Sequence, residues 1–287
     1  MSGVTAPLTA DDIVARLDDL PSLPVVVMEL LNSMDQEDVD ISVLAKKVSY
    51  DQALTAKTLR LANSSQYGLQ VKATTIQQAI TYLGFQTTRS LIMSAAITGC
   101  FPEGRCAGFD DKQFWRHSVA TAACAKVLAR QIRFNQDYAF TAGLLHNIGQ
   151  LVLVSSFPEH YAQVIAYQAA HDCTMLEAEQ LVLGVDHVQA SVALAQRWNF
   201  SDTMRLAIGN YLTPEAPGAG FLAALIHVAN AIVCALDLAQ AGDDMVPHVS
   251  LVAWNALALS EETYLQLFRE TELRYEEITT ALLNQAS

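Results

Sequence analysis

Basic residues are scarce in this sequence. Lysine and arginine together number 17 of 287 residues, against 30 aspartates and glutamates, for a formal net charge of −13. The cations are scattered singly or in pairs such as Lys46-Lys47. No basic patch therefore overrides a surface that repels nucleic acid backbones and anionic lipid. With 13 glycines and 8 prolines, the chain is not a collagen-like or low-complexity polymer. Its five cysteines, Cys100, Cys106, Cys124, Cys173 and Cys234, are widely spaced and form no C-x-x-C pair. That pattern excludes a disulfide frame or a zinc knot and reads as reduced thiols of a cytoplasmic protein. Met1 to Leu20 lacks a basic segment followed by an apolar run, so no signal peptide is expected. Asn-Gly and Asp-Gly dipeptides are also absent, which removes the strongest short-range hairpin signal.

What is present is apolar and helical. The apolar fraction is 52% and the charged fraction 16%, enough for a sizeable core. Two uncharged stretches, Tyr138 to Pro158 and Ala216 to Leu236, approach membrane-spanning length. Both contain groups costly in lipid, including His146, Asn147 and His227, and read as buried helices without a membrane span. Apolar residues recur at spacings of three and four, not two. Val27, Leu30, Leu31 and Met34 form one stripe; Leu54, Thr58, Leu61 and Ala62 form another, behind Asp51 as a cap. Phe114, His117, Thr121, Cys124 and Leu128 form a third, with Asp110-Asp111 placed to cap it. The run Leu151 to Val154 has strand character but continues a helical pattern without a partner run. The fold class is all-α. Breaks at Phe101 to Phe109, Thr213 to Gly220 and Ala241 to Pro247 organise it. The expected divisions are an N-terminal helical lobe over 1–100, a second over 101–240, and a helical extension over 241–287. In that extension Tyr264, Leu267, Phe268, Tyr275, Ile278 and Leu282 form an apolar stripe that must dock on the body or on a second copy of the chain.

The histidines carry the only chemical signal. His117, His146, His187 and His227 lie on apolar helix faces, whereas His160, His171 and His248 fall in polar settings. One histidine on an apolar face is usually a hydrogen-bonded core residue. Four are a better hint of side chains converging from facing helices, as in metal sites of helical proteins. Asn63-Ser64-Ser65 reads as a helix end and turn rather than a catalytic serine, and Trp115, Trp198 and Trp254 read as packing residues.

Several stretches in order resemble the HDOD family, the signalling-associated relative of the HD metal-dependent phosphohydrolases. Leu20-Pro21-Ser22-Leu23-Pro24 resembles its opening. Asp51 to Ser64 is similar to its Asp-Pro-x-Leu…Asn-Ser helix, and Ile76 to Ile80 with Leu83-Gly84 to the next. Trp115-Arg116-His117-Ser118, Gly143 to Leu153, Asp186-His187 and Trp198 follow. The resemblance implies a two-lobed helical fold with an HD-like C-terminal lobe, and a bacterial signal-transduction role. The departures from the catalytic relatives are specific. Their His-Asp is His146-Asn147 here, and their late His-x-Ala-Asp is His227-Val228-Ala229-Asn230. The His-His pair of the cyclic-dinucleotide hydrolases matches Asn210-Tyr211, and a phosphate-suited lysine is Gln150. A carboxamide is a poorer ligand than a carboxylate for a hard divalent ion.

The resulting expectation is a pocket built from His117, His146, Asn147, His187, Asn210 and Asn230, lined by neutral groups, with no catalytic residue. No cofactor is expected beyond weak affinity for a divalent metal. The expected role is a non-catalytic regulatory module acting through signalling proteins or a small ligand, with no nucleic acid partner and with homodimer formation through the C-terminal helix as one mode of docking. The alternative is a metal-dependent phosphohydrolase acting on a nucleotide or phosphodiester.

Overall fold

The computed structural model describes residues 25–32, 41–63, 67–101, 103–239 and 246–282, with four isolated positions before them. Every regular element among the described residues is a helix, and no strand occurs there. The N-terminal helices are α1 (Val25–Asn32), α2 (Ile41–Ser49), α3 (Gln52–Ala62), α4 (Ile76–Leu83) and α5 (Phe85–Ile97). After the break at 101–109 come α6 (Asp111–Gln131), α7 (Gln136–Leu145), α8 (Gly149–Ser156), α9 (Pro158–His171) and α10 (Met175–Leu183). The chain continues through α11 (His187–Arg197), α12 (Asp202–Asn210), α13 (Gly220–Ala235), α14 (Leu251–Leu257) and α15 (Glu261–Leu282). Leu151 to Val154 falls within α8, so the strand reading of that run is set aside. The resemblance at Leu20 to Pro24, and Ser64-Ser65, lie outside the described residues.

Local chemistry starts these helices where short polar side chains stand. Asp51 accepts from the Leu54 amide at the head of α3, and Asp110 from the amides of Lys112 and Gln113 at the head of α6. Thr174 with Glu177, and Asp186 with Gln189, close reciprocal capping boxes on α10 and α11. Each such cap satisfies amides that the first turn leaves unpaired, a contribution of about 1 kcal/mol. At the other end of α3, the Asn63 carboxamide holds both the N–H and the C=O of Ala73.

Burial then decides the packing. All residues of α5 from Thr88 to Ile97 are buried. This helix packs on α1, α3 and α4 and also on α7. The long α6 touches α7, α13 and α15, and α8 lies on α11. The apolar stripe of α15 docks on α6 of the same chain: Tyr264, Leu267 and Thr271 are buried, and the Trp254 ring stacks on Tyr264 at 3.9 Å. Trp115 and Trp198 are core residues. The two uncharged stretches are interior: the first is divided between α7 and α8, and the second is mostly α13, a 16-residue helix buried from Leu222 to Val233. Among the described residues no single helix is long and apolar enough to cross a membrane.

Two glycines set the closest approaches. A Cβ on Gly143 of α7 would stand 2.8 Å from the Ala122 Cα of α6. On Gly149, at the start of α8, it would stand 2.0 Å from the His187 carbonyl oxygen and 2.3 Å from the Ser191 nitrogen. The Gly149 amide donates to the Ser191 hydroxyl at 2.7 Å. Both contacts are against backbone, which cannot rotate away. Gly149→Ala is therefore expected to destabilise the fold by about 3 kcal/mol, the upper end of the usual overpacking cost. A urea melt of this variant checks it, and an unchanged midpoint would contradict the close approach.

Candidate functional site

The segment between Gly143 and Gly149 is an elbow. α7 ends at Leu145, and the amides of Ile148 and Gln150 turn back onto the carbonyls of Leu145 and Asn147. The elbow carries His146 and Asn147 into a space faced by α6 and α13. There the His117 and His146 ring centroids stand 5.4 Å apart. His117 Nε2 lies 2.8 Å from Asn230 Oδ1. A carbonyl oxygen only accepts, so His117 Nε2 carries the proton. His146 Nδ1 lies 2.7 Å from the Gly143 carbonyl oxygen and carries a proton for the same reason. Because His146 Nδ1 is the protonated atom of a neutral ring, its Nε2 is an acceptor. The Asn230 carboxamide oxygen is thus held by His117, with the His146 ring beside it. Asn147 is held beside them, its Oδ1 accepting from the buried Ser118 hydroxyl at 3.0 Å.

The electrostatics agree with these assignments. Burial, followed by repulsion from His117, pushes the His146 pKa well below the usual imidazole value, and its hydrogen bond to the Gly143 carbonyl only partly opposes this. His146 is therefore neutral near pH 7. His187 behaves in the opposite way. Its amide donates to Glu179 Oε2 at 2.8 Å and its Nδ1 to the same oxygen at 2.6 Å, while Nε2 meets the Tyr211 hydroxyl at 2.9 Å. Burial is the largest influence and works against its charge, but the Glu179 charge, its hydrogen bond to the ring and the Asp186 charge together outweigh it, and the His187 pKa is raised. The Tyr161 hydroxyl donates to Glu179 Oε1 at 2.7 Å and accepts from Gln150 Nε2 at 2.8 Å. Burial, then Glu179, pushes both phenols, Tyr161 and Tyr211, above the ordinary tyrosine value.

His117, His146, Asn147, His187 and Asn230 all line one cavity of about 660 Å³. Asn210 does not. Its carboxamide donates to the Leu206 carbonyl within α12, and Tyr211 takes the place at the cavity wall. The reason is rotation about the helix: adjacent residues near its end point about 100° apart, so only one of the two faces inward. His227 is buried elsewhere, between the Tyr211 carbonyl and the Ser250 amide. His171 and His248 are exposed. Asp186 spends its oxygens on the Gln189 amide and the Gln180 side chain. Sequence reasoning missed Glu179. Its signal was its register, since it shares a helical face with Met175, Val182 and Leu183, where a solvated carboxylate would not stand.

This donor set does not fit a two-metal hydrolase. No group of three or more His, Cys, Asp or Glu side chains is placed to hold a metal ion among the described residues. Of the two imidazoles that face each other, His117 is held by the neutral Asn230 carboxamide, and the third imidazole, His187, is held by Glu179 and Tyr211. Hydroxide formation near neutral pH needs anionic ligands that hold the ions, and at the two positions where the catalytic relatives carry carboxylates stand the carboxamides of Asn147 and Asn230.

The profile of the HDOD domain matches residues 20–214 of this chain. A protein of Treponema pallidum (strain Nichols), described only as uncharacterized, is 29% identical over 214 residues, covering 72% of this chain and 40% of that protein. The chain thus spans less than half the length of this curated relative. A crystal structure of an HDOD domain protein of unknown function from Geobacter sulfurreducens superposes with a TM-score of 0.83 at 24% identity, covering 96% of this chain and 97% of that one. A candidate phosphohydrolase from Shewanella amazonensis SB2B superposes with a TM-score of 0.70 at 28% identity over 93% and 98% of the two chains. A candidate signal transduction protein from Marinobacter aquaeolei VT8 gives 0.79 at 24% identity over 98% of this chain and 62% of that one.

The Glu179–His187 pair makes a pH-dependent prediction. A histidine whose folded pKa is raised stabilises the fold fully below its unfolded value and loses that contribution as the pH rises through the folded value. Glu179→Gln should therefore cost about 2 kcal/mol between about pH 5 and 6.5, the range of a hydrogen bond to a charged group. The difference between parent and variant should shrink as the pH climbs above the ordinary histidine value. Denaturation midpoints of both proteins from pH 5 to 9 check this, and a constant or growing gap would contradict it.

Proposed function

The chain belongs to the HDOD domain family, and from that premise we propose that it is a non-catalytic signal-transduction module whose HD-type site has become a hydrogen-bonded cluster of neutral side chains. It acts in the cytoplasm by engaging a signalling protein or a small ligand. The observation that carries this reading is Asn230 itself: a neutral carboxamide accepts from His117 where catalytic relatives place an anionic ligand. Asn147 supports it, since its oxygen is occupied by Ser118. The Marinobacter neighbour, a candidate signal transduction protein, accords with the same reading. The acidic balance of the chain favours protein partners of basic or neutral surface over nucleic acid.

The alternative, a metal-dependent phosphohydrolase, draws its support from the Shewanella neighbour. Two measurements separate the readings. Protein purified without chelator should carry far less than one equivalent of metal per chain and show no turnover in a phosphatase and phosphodiesterase screen. Stoichiometric metal with activity lost on its removal would establish the enzyme. Second, Asn147→Asp with Asn230→Asp places two like charges in one pocket. In chelator the double variant should be less stable than the parent by about 1–3 kcal/mol. Manganese or zinc should recover much of that loss by binding only the folded state. Equal metal-induced melting shifts in parent and variant would mean that these positions are not the missing ligands.

A further inference from the structure

We propose that the cavity beside the histidine cluster binds an uncharged, hydrogen-bonding heterocycle of nucleoside size that carries no phosphate. This names the ligand of the regulatory reading and rests on it. The cavity, about 660 Å³, lies within the range of small-molecule sites. On one wall Phe109 and Phe114, with ring centroids 6.0 Å apart, present aromatic surface to a planar ring. Polar groups converge from the elbow. Asn147 Oδ1 is taken by Ser118, which leaves its carboxamide N–H bonds as donors. Gln150 Nε2 is taken by Tyr161, which leaves its oxygen as an acceptor. Three residues apart, the two side chains thus set a donor beside an acceptor. That pairing complements the edge of a heterocycle carrying a carbonyl or ring nitrogen next to an N–H. Gln113 and Gln168, half-exposed at the walls, add adaptable hydrogen-bonding groups.

The exclusion of phosphate follows from charge. No lysine or arginine is among the described residues that line the cavity, whereas Asp110 and Asp172 are. His146 is neutral, and the charge on His187 is balanced by Glu179. Helix N-termini are the other common phosphate cradle. At the start of α8 the amides of Gly149, Gln150 and Leu151 are already taken by Ser191, Asn147 and Ile148, and three further helix starts are closed by their own acids. Asp110 occupies that of α6, Glu177 completes the box on Thr174 of α10, and Asp186 and Glu179 occupy that of α11. A phosphoryl group entering this space would lose its hydration and meet two carboxylates with no lysine or arginine to compensate.

The test is isothermal titration of the full chain with adenosine, guanosine, inosine and cytidine, and with their 5′-monophosphates. At least one nucleoside should bind saturably at one site, and its monophosphate should bind at least about tenfold more weakly. Gln113→Ala and Gln168→Ala, both at half-exposed positions, should each weaken binding by about five- to tenfold with unchanged melting temperature. Gln168→Lys should shift the preference toward the monophosphate. Monophosphate binding equal to or tighter than that of the nucleoside, or no saturation by any nucleoside at millimolar concentration, would overturn the proposal. Failure of the regulatory reading is separately visible, because it appears as turnover of a nucleotide, which nucleoside binding does not report.

Discussion

The contact on which the site depends is backbone against backbone. Gly143 lets α7 press onto α6 at Ala122, and Gly149 lets the start of α8 press onto the first turn of α11. Between these two points the chain must turn, and the turn carries His146 and Asn147. A side chain at either glycine would push the elbow outward and part His146 from His117 on α6 and from Asn230 on α13. The hydrogen bonds of the cluster, each worth about 1 kcal/mol net, are too weak to draw the helices together alone. The close approach comes first and the polar pairing follows, much as small residues set helix spacing in any tightly packed interior.

Within that frame the polar interior divides by charge. On the Asn230 side, His117 Nε2 donates to the carboxamide oxygen, and a neutral His146 donates from Nδ1 to the Gly143 carbonyl. Around Glu179 a carboxylate with no solvent exposure is satisfied by the His187 amide and ring and by the Tyr161 hydroxyl. A buried anion without such partners would be costly, so this second network is a condition for folding as much as a feature of the cavity. The two networks meet at the wall: the Tyr211 ring lies edge-on to His146 at 4.9 Å, and its hydroxyl touches His187.

Much of the architecture was legible in the sequence because helices advertise their period and their starts. Asp51 and Asp110 stand where they cap, and the α15 stripe at Tyr264, Leu267 and Phe268 lies against the body. His117 and His146 could be paired in advance only through the family resemblance, since nothing in their spacing of 29 residues brings α6 and α7 together. Asn210 illustrates what a motif position cannot supply. Matching a sequence to a relative assigns a residue to a neighbourhood, but a step of one along a helix decides which side chain faces in, and here it was Tyr211. Glu179 was invisible to motif reading because it belongs to no ligand pattern; its register pointed to a buried face, but its partners His187 and Tyr161 appear only in the packed structure.

On the proposed reading, His117 and His146 are hydrogen-bonding imidazoles, His117 donating to the Asn230 carboxamide, and not a metal-ligating pair. Nitrogen-15 NMR of the imidazole side chains tests it most directly, because each ring nitrogen reports whether it carries a proton. The account predicts a neutral His146 protonated at Nδ1 and a His117 protonated at Nε2 at neutral pH, with both spectra unmoved by millimolar magnesium or equimolar zinc. A charged His146 at pH 7, or His117 and His146 signals that shift together to saturation at one equivalent of metal, would contradict it.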